Sequence, residues 1–108
     1  PATGEGLIVF VDARKDELFN AGHIPNAIQC DPDRMDDYIE SVLQQIGGAQ
    51  KVIVYCGGGD CVDSILLCKT LVVSYDVPIE KVFLFAGGYT EWKQNNMPSE
   101  PQGDENEG

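Results

Sequence analysis

The stretch Lys51-Val52-Ile53-Val54-Tyr55-Cys56-Gly57-Gly58-Gly59-Asp60-Cys61-Val62-Asp63-Ser64 decides the fold. It opens as a short apolar run rich in β-branched residues and ends in a cysteine. Three glycines follow, and a helical pattern then begins. This reads as a strand, a tight loop and a helix N-terminus, with a thiol at the end of the strand. Glycines let successive backbone N–H groups turn inward and line a bowl. The positive end of the helix dipole points into that bowl and favours an anion there. A cysteine so placed is biased toward the thiolate. The competing reading is a packed structural thiol, since free cysteine is among the most buried residue types.

Outward from this stretch, apolar runs alternate with helical periodicity. Leu7-Ile8-Val9-Phe10-Val11 is a continuous apolar run, as expected of a strand buried on both faces of a parallel sheet. Asp12-Ala13-Arg14 ends it, and residues 15–21 read as one or two helical turns. Gly22-His23-Ile24-Pro25-Asn26 is a loop by its turn residues, and Ala27-Ile28-Gln29-Cys30 is a short second strand. Asp31-Pro32-Asp33 is a helix-start signal. Met35, Ile39, Val42, Leu43 and Ile46 then recur at helical spacing, and Gly47-Gly48 stops the helix.

Beyond the cysteine loop, Ile65, Cys68, Val72 and Tyr75 are expected to share one helical face, with Asp63 and Ser64 able to cap its start. Asp76-Val77-Pro78 breaks that helix. Residues 81–86 read as a fourth buried strand, Gly87-Gly88 as a tight turn, and residues 89–96 as a short helix that packs Trp92 inward. The alternation predicts an α/β fold: a small, mostly parallel, four- to five-stranded sheet with helices on both faces. Ligands bind at the carboxyl ends of strands in such sheets. Cys56, Gly87-Gly88 and residues 12–14 all lie at such ends.

At 108 residues the chain is one domain, expected over 7–98, with a flexible lead-in over 1–6 and a disordered acidic tail over 99–108. It opens with Pro1 rather than Met, as a piece of a larger protein would. Eighteen acidic against seven basic residues give a net charge of −11, which argues against nucleic acid partners. No apolar run reaches the length of a membrane span, so no direct membrane contact is expected. The four cysteines, Cys30, Cys56, Cys61 and Cys68, match no CxxC or zinc spacing, so no metal is assigned. Free thiols fit a reducing compartment, with the cytoplasm favoured over an oxidising one.

With these pieces in order, the sequence resembles a rhodanese domain. Val11-Asp12-Ala13-Arg14 with Glu17 and Phe19, Gly22-His23-Ile24-Pro25-Asn26-Ala27-Ile28, Val54-Tyr55-Cys56 with its glycine loop, and Val82-Phe83-Leu84-Phe85-Ala86-Gly87-Gly88 with Trp92 carry the likeness. The resemblance covers roughly residues 7–98 and implies a five-stranded parallel α/β sandwich. The strand and helix that usually precede the family's first motif are missing here.

The resemblance further implies a sulfurtransferase that needs no cofactor. Cys56 would be the nucleophile and carry a sulfane sulfur as a persulfide. The amides of Gly57, Gly58, Gly59, Asp60 and Cys61 would cradle that sulfur. Asp12, Arg14 and His23 would be structural supports. The partners implied are a small sulfur donor or protein persulfide, and a thiol acceptor.

The chain departs from the family where active members often place an arginine: position 61 is cysteine, and Asp60 and Asp63 stand nearby. Carboxylates close to the nucleophile oppose a dianionic donor such as thiosulfate. The absent arginine also argues against the related dual-specificity phosphatases. Two readings of Cys61 stand side by side. It could attack a persulfide on Cys56, releasing sulfide and forming a disulfide, or it could simply pack inward. The alternative to catalysis is a rhodanese-like binding or redox-sensing module of a larger protein. A thiol oxidoreductase that uses Cys56 and Cys61 is a third reading.

Overall fold

The β-rich runs and helical periods form eight main elements in a computed structural model that describes residues 7–58 and 62–99. In chain order these are β1 (Ile8–Asp12), α1 (Asp16–Ala21), β2 (Ile28–Gln29), α2 (Met35–Ile46), β3 (Lys51–Tyr55), α3 (Asp63–Tyr75), β4 (Val82–Leu84) and α4 (Gly88–Gln94). All pairings are parallel, and the strand order is β2-β1-β3-β4. A sheet of this kind needs crossover helices, which α1 to α3 supply. The sheet has four strands among the described residues, against the four to five expected and the five that the family resemblance implies. The expected residues 1–6 and most of the expected tail, 100–108, lie outside the described residues.

Alternation along the strands divides the core in two. Val11, Val52 and Val54 pack with Val42 and Ile46 of α2 and with Leu67 and Leu71 of α3. Tyr55 packs on the other face with Ile24 and Ala27, flanked by Phe10, Phe19, Tyr89 and Trp92. Helices therefore cover both faces. Among the described residues, the second face has only the short α1 and α4, and part of it is open: Ile8 and Phe83 are 45% and 44% exposed.

Three expectations need correction. The strand expected over 81–86 is confined to Val82–Leu84, and as the sheet edge it is not buried. Of α3, Ser64, Leu67 and Leu71 form the buried face, while Ile65 is exposed. The helix is apolar almost all round, so its own periodicity does not fix its rotation on the sheet. Neither Asp63 nor Ser64 caps α3, which starts from Val62 with no side-chain cap. The start signal at residues 31–33 forms a 3-10 turn at Pro32–Arg34, where the Asp31 carboxylate accepts from the Asp33 N–H at 2.9 Å, and α2 follows directly.

Candidate functional site

Three strand ends converge at the carboxyl edge of the sheet. Ala13 N–H, just past β1, donates to Tyr55 O at 2.8 Å, and Cys30 N–H donates to Asp12 O at 2.8 Å. Cys56 follows Tyr55 directly and is only 2% exposed. The loop after it is held by the start of α4: Tyr89 N–H donates to Cys56 O at 2.8 Å, and Thr90 N–H to Gly57 O at 3.0 Å. Two glycines make that contact possible. Gly58 has φ +108° and lies against Gly87 O. Gly88 has φ +61°, and a Cβ there would stand 2.5 Å from Cys56 O and from Gly58 N. Both conformations are ones that side chains with a Cβ rarely adopt.

Cys56 is disulfide-bonded, whereas Cys30 and Cys68 are free. Ser64 Oγ lies 3.3 Å from Cys56 Sγ. A disulfide sulfur has no proton, so the serine hydroxyl is the donor in this contact. Gly59, Asp60 and Cys61, expected to complete the sulfur-binding loop, lie outside the described residues. Burial pushes the Cys30 thiol up to about 11, with the Asp31 charge adding to it, and burial also raises Cys68. Neither is poised as a thiolate at neutral pH.

The supporting residues form a buried frame beside this loop. Asp12 is fully buried and Arg14 is 7% exposed. Arg14 Nη2 donates to Asp12 Oδ2 at 2.8 Å and Arg14 Nε donates to Oδ1 at 3.0 Å, while the Arg14 backbone N–H also meets Oδ1 at 2.9 Å. Arg14 Nη2 further donates to Gly22 O at 2.6 Å, tying the loop after α1 to the end of β1. The guanidinium lies 4.4 Å from the centroid of the Tyr89 ring. Burial alone would lower the Arg14 pKa, but the hydrogen bond and charge of Asp12 outweigh it and the pKa is raised. His23 Nδ1–H donates to Phe19 O at 2.8 Å, and its ring stacks on Phe19 with centroids 3.8 Å apart.

A sequence model of the rhodanese-like domain matches residues 2–95. The chain belongs to the rhodanese-like domain family. No curated protein sequence matches it. Among solved structures it is similar to a Bacillus halodurans protein, with 24% identity, a TM-score of 0.67, and coverage of 89% of this chain and 64% of that one. It is also similar to the rhodanese-like domain of an Anabaena protein, with 23% identity, a TM-score of 0.62 and coverage of 89% of both chains. A thiosulfate sulfurtransferase from Pseudomonas aeruginosa matches with 24% identity and a TM-score of 0.62, over 90% of this chain and 17% of that enzyme. This rhodanese-like domain thus spans less than two thirds of the Bacillus protein and a small part of the Pseudomonas enzyme. At these identities the likeness shows the shared fold.

Sequence reasoning about this rhodanese-like domain missed three contributors. Ser64 was read as a cap, but it is buried and turned to the Cys56 sulfur. Tyr55 is fully buried, and its hydroxyl accepts from Ile24 N–H at 3.1 Å, so it anchors the loop that carries His23. Burial and the nearby Asp12 carboxylate raise its phenol well above the usual range. Tyr89 joins Arg14 to the Cys56 carbonyl, and its hydroxyl pairs with that of the buried Ser99 at 2.9 Å. A small polar residue in the first turn of the helix after the loop was the available signal for Ser64. The tyrosines gave none beyond their position beside strand ends. Among the described residues, no group of three or more His, Cys, Asp or Glu could hold a metal ion, and no helix is long and apolar enough to cross a membrane.

Proposed function

We propose that this domain is a persulfide-carrying sulfurtransferase with Cys56 as its nucleophile. The observation that carries this reading is the setting of Cys56: a thiol position at the end of a central parallel strand, its loop carbonyls pinned by α4 and its sulfur met by Ser64. In the reduced protein, the Cys56 thiolate attacks the sulfane sulfur of a donor RSSH. A Cys56 S–S bond forms, the donor S–S bond breaks, and RS⁻ leaves. An acceptor thiolate then attacks the terminal sulfur, takes it as a new persulfide and restores the Cys56 thiolate. There is no net oxidation. The amides of Gly57 and Gly58, with those of Gly59, Asp60 and Cys61, hold the terminal sulfur, an electrostatic role of the oxyanion-hole kind. Asp12, Arg14 and His23 position the loops. With Cys61 where an arginine would hold thiosulfate, the preferred donor is a low-molecular-weight or protein persulfide.

Intact mass tests this. Reduced protein incubated with a glutathione persulfide donor should gain one sulfur atom, removable by cyanide, and Cys56→Ser should gain none. A mass gain that survives in Cys56→Ser refutes the assignment.

The disulfide at Cys56 supports a second reading, in which the domain reduces its own persulfide. The resolving role falls to Cys61, which the sequence places five residues after Cys56. The Cys61 thiolate attacks the inner sulfur of the Cys56 persulfide, forms the disulfide and expels HS⁻. Two external thiols then reduce that disulfide by successive exchange, through a mixed disulfide, and leave as their own disulfide. Under this reading, Cys61→Ser holds its persulfide and releases no sulfide. Sulfide release equal to that of the unmodified chain returns the domain to simple transfer, and no sulfur uptake at all leaves a binding module.

A further inference from the structure

Beside the Cys56 loop lies an open cavity of about 480 Å³, lined by Gly58, Gly87, Thr90, Glu91, Gln94 and Asn95. It is separate from the buried frame and uses the outward face of α4. The Glu91 carboxylate packs directly on Gly87, which in turn touches Gly58 of the loop. A negative charge therefore stands next to the segment that carries the nucleophile. It has no cationic partner among the described residues. Lys93 on the same helix lies instead by the Tyr89 ring, 5.9 Å from its centroid. The rest of the lining supplies a hydroxyl and two carboxamides, which can pair with polar and amide groups.

We infer that this cavity selects the acceptor, receiving the body of a thiol that bears an ammonium group, with Glu91 as its counter-charge. The inference rests on Cys56 being the sulfur carrier and names the acceptor class for it. An aminothiol that places its sulfur over Cys56 would lay its ammonium group along Gly58 and Gly87 toward Glu91. An anionic thiol would meet repulsion there. The same charge would oppose a dianionic donor such as thiosulfate from a residue outside the loop.

Cysteamine and 2-mercaptoethanol have nearly the same shape and differ in charge, so they are the probes. Cys56 persulfide is prepared, and its discharge by each thiol is timed by intact mass in the unmodified chain, in Glu91→Gln and in Glu91→Lys. Comparing the ratio of the two rates between proteins cancels the thiols' different intrinsic reactivity. Glu91→Gln should reduce the cysteamine preference by about fivefold to tenfold, the effect of one charge pair in a half-screened cleft. Glu91→Lys should reduce it further and speed discharge by 3-mercaptopropionate. Glu91 is exposed, so both variants are expected to fold. A ratio unchanged within about twofold in both variants overturns the inference.

If Cys56 takes up no sulfur from any donor, the carrier reading fails on its own. The cavity is then tested by the rates at which the same thiols reduce the Cys56 disulfide. The same loss of cysteamine preference in Glu91→Gln upholds the cavity's role, and an unchanged ratio refutes it.

Discussion

Gly88→Ala is the sharpest test of how the site is assembled. Gly88 sits at φ +61°, where an alanine Cβ costs about 1–2 kcal/mol. That Cβ would stand 2.5 Å from Cys56 O, 2.5 Å from Gly58 N and 2.7 Å from Gly57 C, all of them backbone atoms. No side chain can swing aside, so the loop and α4 must separate, at the roughly 1–3 kcal/mol typical of overpacking. The total is about 2–5 kcal/mol, a large share of the ~5–15 kcal/mol that holds a domain of this kind. Urea unfolding under reducing conditions, which remove the disulfide from the comparison, should show a midpoint lower by at least about 1 M. Gly48→Ala is the control: nothing lies within 4 Å of its added Cβ, and its φ is not left-handed, so it should be neutral or slightly stabilising. If Gly88→Ala unfolds at the same urea concentration as Gly48→Ala, the close approach of α4 to the Cys56 loop is wrong. Under the proposed function, sulfur uptake should also fall in Gly88→Ala, because the displaced atoms belong to the peptide units of Cys56 and the two residues after it.

Asp12→Ala should destabilise the chain by about 3–5 kcal/mol, because it leaves the Arg14 guanidinium buried without its carboxylate. Calorimetry of Asp12→Ala, Arg14→Leu and the double variant checks this, and simple additivity of the two losses would refute the coupling. Asp16 is held down to about 2 by hydrogen bonds from Tyr38, Gln29 and Arg34. Its folded value lies below its unfolded one, so its contribution is present above about 3.8 and is lost as pH falls toward about 2. Carboxylate titration by NMR should find this low midpoint, and Asp16→Asn should flatten the acid slope of stability in that window. An unchanged slope would show that the contacts of Asp16 do not persist in solution.

The order of elements was legible because local signals agreed with the global arrangement. β-branched runs at residues 8–11 and 52–54 became the central pair β1 and β3, and Gly47-Gly48 and Pro78 fell where helices end. The place of Cys56, at the end of a central strand, was legible from a strand running into glycines. What was not legible depends on contacts between distant segments. The exposure of Phe83 follows from β4 being the sheet edge, and strand order is set by pairing, not by composition. The rotation of α3 could not be read because apolar residues surround it, so Ile65 and Leu67 were indistinguishable until the sheet chose Leu67. The disulfide state of Cys56 likewise requires spatial approach, which sequence spacing allows but does not establish.

The Asp12–Arg14 pair does more for this site than its distance in sequence from Cys56 suggests. A buried ion pair is weak evidence for stability, since desolvation offsets much of its attraction. Here its geometry has a second consequence. Arg14 reaches Gly22 O at 2.6 Å and lies 4.4 Å from the Tyr89 ring centroid, and Tyr89 N–H donates to Cys56 O. One guanidinium therefore joins the end of β1, the loop after α1 and the start of α4, and through Tyr89 it bears on the carbonyl of Cys56. Because a persulfide sulfur must be met by amides in a fixed array, a shift of that peptide would misalign the array even in a folded chain. Arg14→Lys keeps the charge but cannot form the two-pronged contact with Asp12. That variant should retain the fold with a reduced rate of sulfur uptake. Full uptake in it would make the pair a purely structural one.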